Sequence, residues 1–251
     1  MGSDLSAQYE RQEPWRRWDQ ALARVPVHAG QRVLDLGCGI GQIAARFHAL
    51  GAHVIGVDAN ADLLAVARDR HPRVRFESLD LHKLRPASFG LVDGIWASFV
   101  PAYLPPLDAT IARWASCLAP GGWMALVEMD DLFGHEPMPA AMRAEVLAFY
   151  ASARERYDFE CGHRLAGAVE RAGLALVEEG TLEDDELCFQ GHATDEVLAA
   201  WRQRLNRMPG LKAFWGDRVG DFERALLGSM ASAEHRSTTR VFMVVARLLA
   251  R

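Results

Sequence analysis

The segment Asp35-Leu-Gly-Cys-Gly-Ile-Gly41 limits most strongly what this chain can fold into. Before it, Gln31-Arg-Val-Leu-Asp-Leu36 reads as a short buried strand. After it, Gln42 to Leu50 reads as a helix closed by Gly51, the residue expected at a helix C-terminus. Three glycines at alternate positions allow a tight turn and leave the backbone open to close approach by a ligand. In an open α/β sheet, a loop at the carboxyl end of a strand is where ligands bind.

The same alternation continues along the chain. His53 to Val57 reads as a second strand ending at Asp58, and Ala61 to Arg70 as a helix. Val74 to Ser78 reads as a third strand ending near Asp80, and Phe89 to Ala97 contains a fourth. The helix Leu107 to Cys117 leads through Pro120-Gly-Gly122 to a fifth strand, Trp123 to Glu128. Alternation of this kind implies a mainly parallel sheet with helices on both faces. Helices are expected over Pro139–Tyr157 and His163–Ala172, a sixth strand over Leu174–Glu186 and a seventh over Thr239–Leu249. Near the N-terminus, Trp15, Trp18 and Leu22 fall at helical spacing within Tyr9–Arg24. A long segment, Ala193 to Ser232, interrupts the last two strands with Val197, Trp201, Leu205, Phe222, Leu226 and Met230 at helical spacing.

A length of 251 residues, half of them hydrophobic, suits one large domain or a domain with an insertion. The formal charge of -5 argues against charge-driven binding to nucleic acid. No apolar run approaches the roughly 18–20 residues that span a bilayer, and Met1 to Trp18 has no apolar core of the signal-peptide kind. Cys38, Cys117, Cys161 and Cys188 are widely spaced and form no metal-ligand pattern. Reduced thiols in a cytoplasmic protein are the expectation.

Two cofactor classes fit a glycine loop followed by an acid. A dinucleotide fingerprint requires Gly or Ala at its sixth position, where this chain has Gln42. The loop, with its leading acid, instead resembles the first motif of the class I S-adenosyl-L-methionine (SAM)-dependent methyltransferase family. The resemblance covers Gln31 to Glu128 well. It implies a Rossmann-like α/β fold, a seven-stranded mainly parallel sheet with helices on both faces, to which the spacing of 193–232 adds a helical insertion near the C-terminus. It also implies SAM as cofactor and S-adenosyl-L-homocysteine (SAH) as product. Asp35 then holds the methionine amino end, and Gly37, Gly39 and Gly41 lie along the cofactor. Asp58, with Ala59 beside it, matches the acid on the ribose hydroxyls. Asp80 and Leu81 match the adenine site, and Ser98 and Phe99 line the cofactor after the fourth strand. Residues 1–30 form a helical segment over the cofactor, with Tyr9 as its contact. Residues 31–192 and 233–251 form the SAM-binding domain, and 193–232 a lid on the acceptor side. The alternative for that insertion is packing against a second copy, giving a homodimer.

The acceptor is expected to be a small molecule. Ala97-Ser-Phe-Val-Pro-Ala-Tyr103 stands where a nucleobase-methylating enzyme of this family carries Asn-Pro-Pro-Tyr or Asp-Pro-Pro-Tyr. If the acceptor must lose a proton, His135 is the first candidate base, since it follows the fifth strand and titrates near neutrality. Asp130 is the second, with His163 and Tyr103 behind it. Three other readings stand: an NAD-dependent oxidoreductase, a non-catalytic binder on the same fold, and a metal-assisted O-methyltransferase using Asp130 and Asp131.

Overall fold

The computed structural model describes the backbone of residues 2–250 and the side chains of residues 5–250. The chain begins with α1 (Gly2–Gln12) and α2 (Trp18–Leu22). The expected single helix over Tyr9–Arg24 is broken because Pro14 has no N–H to donate and sits in a short 3-10 turn, Glu13–Trp15. The alternating body follows: β1 (Arg32–Leu36), α3 (Gln42–Ala49), β2 (His53–Asp58), α4 (Ala61–Arg70), β3 (Arg75–Ser78), α5 (Pro86–Phe89), β4 (Val92–Ser98), α6 (Leu107–Ala115) and β5 (Leu118–Asp130). Then come β6 (His135–Glu136), α7 (Ala140–Ala153), α8 (Leu165–Arg171) and β7 (Leu174–Leu182). The insertion holds α9 (Asp195–Asn206), α10 (Pro209–Trp215) and α11 (Val219–Met230), before β8 (Arg236–Ser237) and β9 (Arg240–Leu248).

Seven strands form one sheet in the order β3-β2-β1-β4-β5-β9-β7. The first five are parallel, and β9 runs antiparallel between β5 and β7. From β1 the chain winds outward through β2 and β3. From β4 it winds the other way through β5. The reversal lies between β1 and β4, so the glycine loop leaves the sheet at its topological switch point, the crevice where α/β folds bind ligands. Strands buried on both faces read as nearly continuous apolar runs, as in Val33, Leu34 and Leu36 of β1, or Met124 to Val127 of β5, all at most 1% exposed.

Two strands differ from expectation at their ends. β5 begins at Leu118 because Leu118 already pairs with Val92 across the Pro-Gly-Gly turn. β7 stops at Leu182 because Asp184 turns the chain, its Oδ1 accepting from the N–H groups of Glu186 and Leu187.

The insertion is a three-helix body started by Thr194, whose hydroxyl accepts from Val197 N–H at 3.2 Å. Its apolar face is fused into the main core. Trp201, Phe222, Leu226 and Met230 are fully buried and join one cluster with Trp96, Val127, Phe133 and Met243. Phe133 lies 5.1 Å from Phe222 and 6.3 Å from Trp201, centroid to centroid. Trp201, Leu205 and Phe222 are therefore covered within one chain and are not offered to a second subunit. No helix among the described residues is long and apolar enough to cross a membrane.

The Trp201 indole also donates to Glu186 O at 3.2 Å. Trp201→Ala is expected to lower the unfolding free energy by about 3–5 kcal/mol, the range for emptying a large aromatic site. Denaturant unfolding checks this, and a loss below about 1 kcal/mol would show an insertion only loosely attached.

Candidate active site

Asp35, on β1 opposite Trp96 of β4, is 2% exposed. Burial pushes its carboxyl up to about 7, with a partial counterweight from the Ala44 backbone N–H. Its Oδ2 is buried without a hydrogen-bond partner. An orphaned carboxylate oxygen under a ligand crevice fits a cationic group such as a cofactor's ammonium, which would restore the missing interaction.

The loop above Asp35 has the backbone that only glycine adopts without strain. Gly37 and Gly39 take φ of 70° and 53°. A Cβ on Gly37 would collide with Val100, and one on Gly39 would stand 3.2 Å from the Tyr9 ring. Gly41 is the left-handed N-cap of α3. Asp58, at the end of β2, ties this loop to its neighbour: one oxygen accepts from Gly39 N–H at 2.9 Å, the other from Asn60 N–H at 2.8 Å. Each oxygen keeps a further lone pair, so ribose hydroxyls can still bind there. Asn60 in turn caps α4 through Asp62 N–H and Leu63 N–H.

The other cofactor candidates lie along the same sheet edge. Ala59 is exposed beside Asp58. Asp80 is the N-cap of a 3-10 turn and accepts from His82 N–H at 3.0 Å, next to the buried Leu81. Ser98 Oγ accepts from the Trp96 indole at 3.2 Å. Phe99 has a left-handed φ of 56°, packs edge-on to Trp18 and lies 5.2 Å below the Arg16 guanidinium. Tyr9 of α1 spans Gly39, and its phenol is pushed up to about 12 by burial and then by Tyr103 and Asp58. α1 thus lies over the glycine loop.

Two candidate bases occupy other surroundings than expected. His135 is 1% exposed. His235 uses Nδ1 on the Gly191 carbonyl at 3.0 Å, so its Nε2 accepts from His135 Nδ1 at 2.9 Å. His135 packs edge-on to Trp201, and burial followed by the His235 field lowers its pKa to about 3. Burial and the neighbouring imidazole thus disfavour its charged form, while its Nε2 is buried without a hydrogen-bond partner. Its position after β5 was legible; the inward turn toward a residue 100 positions away was not. Asp130 caps the turn at 161–164, accepting from Gly162 N–H at 2.6 Å and facing His163 Nδ1 at 2.6 Å. His163 is thereby paired with Asp130 on the surface. Asp131 is held by both Arg143 nitrogens at 2.7 Å and by Tyr150. The two acids serve separate structural contacts, and the described residues contain no cluster of three metal-ligating side chains.

A further polar group includes Tyr103, one of the candidates read from the sequence. Tyr103 is 62% exposed, yet protein crowding its hydroxyl raises its pKa, followed by the field of Glu128. Tyr157 meets it edge-on at 4.6 Å. Beneath them Glu128 is fully buried, pushed up to about 7 by burial, with its oxygens accepting from Ala102 N–H and Met129 N–H at 3.1 and 3.0 Å. Arg204 of α9 reaches the same region, since its charge acts on Tyr9, Tyr103 and Tyr157.

Arg204 and the N-terminal segment meet at Glu186. This carboxylate is 0% exposed and accepts from Arg204 at 2.6 Å, Arg16 at 2.7 Å and Gln12 at 3.1 Å. Burial alone would raise its pKa, but Arg204 and Arg16 outweigh burial and bring it to about 2. Arg16 also pairs with Asp184 at 2.5 Å.

The fold and crevice define a class: an α/β cofactor-binding domain with a buried acid below its glycine loop. A family model described as a methyltransferase domain matches residues 33–122. A trans-aconitate 2-methyltransferase of Delftia acidovorans is 31% identical over 216 residues, covering 78% of this chain and 75% of the relative. One of Methylobacterium nodulans is 40% identical over 126 residues, covering 49% of this chain and 46% of the relative. Across several such relatives the chain spans about half of their length. Among solved structures, an S-adenosylmethionine dependent methyltransferase from Mesorhizobium loti superposes with a TM-score of 0.54 at 20% identity, over 92% of this chain and 96% of that one. The chain belongs to the class I SAM-dependent methyltransferase family.

The raised carboxyl of Asp35 makes a pH prediction. A folded pKa above the unfolded value means that folding favours the neutral acid, so stability is fullest near pH 4 and erodes as pH rises toward 7. Relative to Asp35→Asn, the wild type should lose on the order of 4 kcal/mol at most between pH 4 and pH 8. Chemical denaturation of both proteins at the two pH values measures this, and parallel profiles would mean that Asp35 is ionised throughout in the ligand-free fold.

Proposed function

We propose that this protein transfers the methyl group of SAM to a small organic acceptor. The observation that carries the reading is the orphaned Asp35 oxygen below a left-handed glycine loop at the switch point of the sheet. Asp35 would take the amino end of the cofactor, Gly37, Gly39 and Gly41 its backbone-facing side, and Asp58 with Ala59 the ribose. Asp80, Leu81, Ser98 and Phe99 would border the rest, with Tyr9 as a cover. Bound there, SAM supplies a methyl group on a sulfonium, already a good leaving group.

The chain's own contribution is then alignment and exclusion of water. Residues 1–30 would close one side of the crevice and 193–232 the acceptor side, on the body formed by 31–192 and 233–251. Glu186 supports this division, because its hydrogen bonds join the first segment to α9. The relatives named above carry trans-aconitate in their names, which makes that acid the first acceptor to try.

Calorimetry is expected to show SAM and SAH binding at micromolar affinity or better, with no heat from NAD. Asp58→Ala should weaken SAM by about 1.5–3 kcal/mol, the range for hydrogen bonds to a charged group. Binding of NAD with neither SAM nor SAH would overturn the function. An unchanged SAM affinity in Asp58→Ala would confine that acid to holding Gly39 and Asn60.

A further inference from the structure

A cavity of about 220 Å3 lies outside the cofactor crevice, and none of the cofactor candidates lines it. One wall is α3, through Ala45 and His48. The other is the end of α4 with its connection to β3, from Arg70 to Val74. Every charge-bearing side chain in this lining is basic: His48, Arg70, His71 and Arg73. The rest is apolar, from Ala45, Pro72 and Val74. The chain as a whole carries a formal charge of -5, so this concentration of one sign is local. A concave site with charges of one sign on low-dielectric walls focuses its field into the space between them.

The fold leaves most of these groups without a partner. Arg70 pairs with Glu10 of α1 through one nitrogen, which leaves further donors on its fork. The side chains of His48, His71 and Arg73 have no hydrogen bond or ion pair among the described residues. Their places are set by separate elements. His48 is in the last turn of α3, and His71 is the C-cap of α4. Arg73 sits in the turn that Val74 N–H closes on His71 O at 2.9 Å. The His71 ring is fixed from behind, 3.2 Å from where a Cβ on Gly41 would stand. Basic residues in a last turn complement the helix dipole, which accounts for His48 and Arg70 taken singly. It does not account for Arg73, which lies beyond α4, or for two helix ends converging on one cavity.

We propose that this cavity binds the phosphate group of a small soluble molecule. Donors converging from two walls suit a tetrahedral group that carries oxygens on several sides, and guanidinium forks match such oxygens in pairs. Near pH 7 a phosphate monoester carries close to two negative charges, which answers Arg70 and Arg73. The volume is about that of seven waters in the liquid, room for a phosphate and a short organic body. The acidic balance of the rest of the chain opposes an extended polyanion or an anionic membrane surface. The inference stands apart from the methyl-transfer reading, since the cavity is outside the cofactor crevice and no bond is made or broken in it.

The test titrates the whole chain calorimetrically with inorganic phosphate, glycerol phosphate and pyrophosphate, at constant ionic strength in chloride. At least one is expected to bind with a Kd on the order of 1 mM or tighter. The double variant His48→Gln with Arg73→Gln should lose at least tenfold in affinity. Arg73→Lys, which keeps the charge and loses the fork, should lose less. Arg202→Gln removes an exposed arginine of α9, outside the cavity, and should change the affinity less than twofold. If the double variant fails to fold by circular dichroism, Arg73→Gln alone decides, with a loss of threefold or more expected. Absence of binding by all three probes overturns the proposal. So does an affinity that survives in the folded double variant, or one that Arg202→Gln lowers as much. Sedimentation with phosphatidylglycerol vesicles separates the sources of the phosphate. Arg73-dependent binding to vesicles, with none to the soluble phosphates, would place the group on a lipid headgroup and overturn the proposal as well.

Discussion

Glu186 accepts from Gln12, Arg16 and Arg204, three residues separated from it by 174, 170 and 18 positions, and it does so with no exposure to solvent. Removing a carboxylate and two guanidinium groups from water is costly, and such clusters seldom stabilise a fold more than apolar packing would. Here the charges balance, with Arg16 and Arg204 against Asp184 and Glu186. What the cluster supplies is direction. An apolar patch would let the N-terminal segment and α9 slide, whereas two forked cations on two acids fix one register. The backbone repeats the link, with Arg16 bridging Asp184 and Asp185 N–H donating to Trp15 O at 3.0 Å. The N-terminal segment and α9 are therefore joined at a single buried junction.

The buried acids are tuned in opposite directions by what surrounds them. Asp35 and Glu128 are pushed up to about 7 because burial opposes their charge and no cation sits against them. Glu186 is equally buried but falls to about 2 because two arginines sit against it. The difference separates scaffold from site. Glu186 has its countercharge within the fold, while Asp35 lacks one and keeps an oxygen unpartnered. A cation bound beside Asp35 would supply the countercharge that the fold does not.

The glycine loop, Asp58 and the alternation of strands and helices were legible because they are local: a strand end, a turn with left-handed residues and a helix start lie within a few positions of one another. The periodicity of the insertion was equally legible, and Trp201, Leu205 and Phe222 are indeed on one buried face. Its partner was not, since periodicity reports that a face is apolar and says nothing of what covers it. The cover is Phe133 and the sheet face behind it. The surroundings of His135 were hidden for a related reason. Its place along the chain follows β5, but its orientation is set by His235, beyond the insertion. Arg16, Glu186 and Arg204 carried no motif at all. Salt bridges between distant positions leave no spacing to read, and only the folded chain brings them together.

In the proposed reading, the charges around the crevice would give its two sides different chemical roles. Asp35 and Asp58 lie on the glycine-loop side, where a cationic cofactor would be drawn. On the insertion side, Arg204 is paired with the buried Glu186. Methyl transfer from a sulfonium to a carboxylate joins a cation and an anion into neutral products, so charge is lost on the way to the transition state. Water slows such a reaction, because it solvates the separated charges better than the dispersed ones. A crevice that replaces water with fixed partners favours it. The glycine-loop side would bring in the cationic cofactor with an opposite charge held rigidly by the fold, and the rest of the crevice would need to supply little beyond shape and dryness. An acceptor that had to lose a proton would make a different demand, for a base: His135 Nε2 is buried without a hydrogen-bond partner, Glu128 is pushed up to about 7, and Asp130 caps a turn.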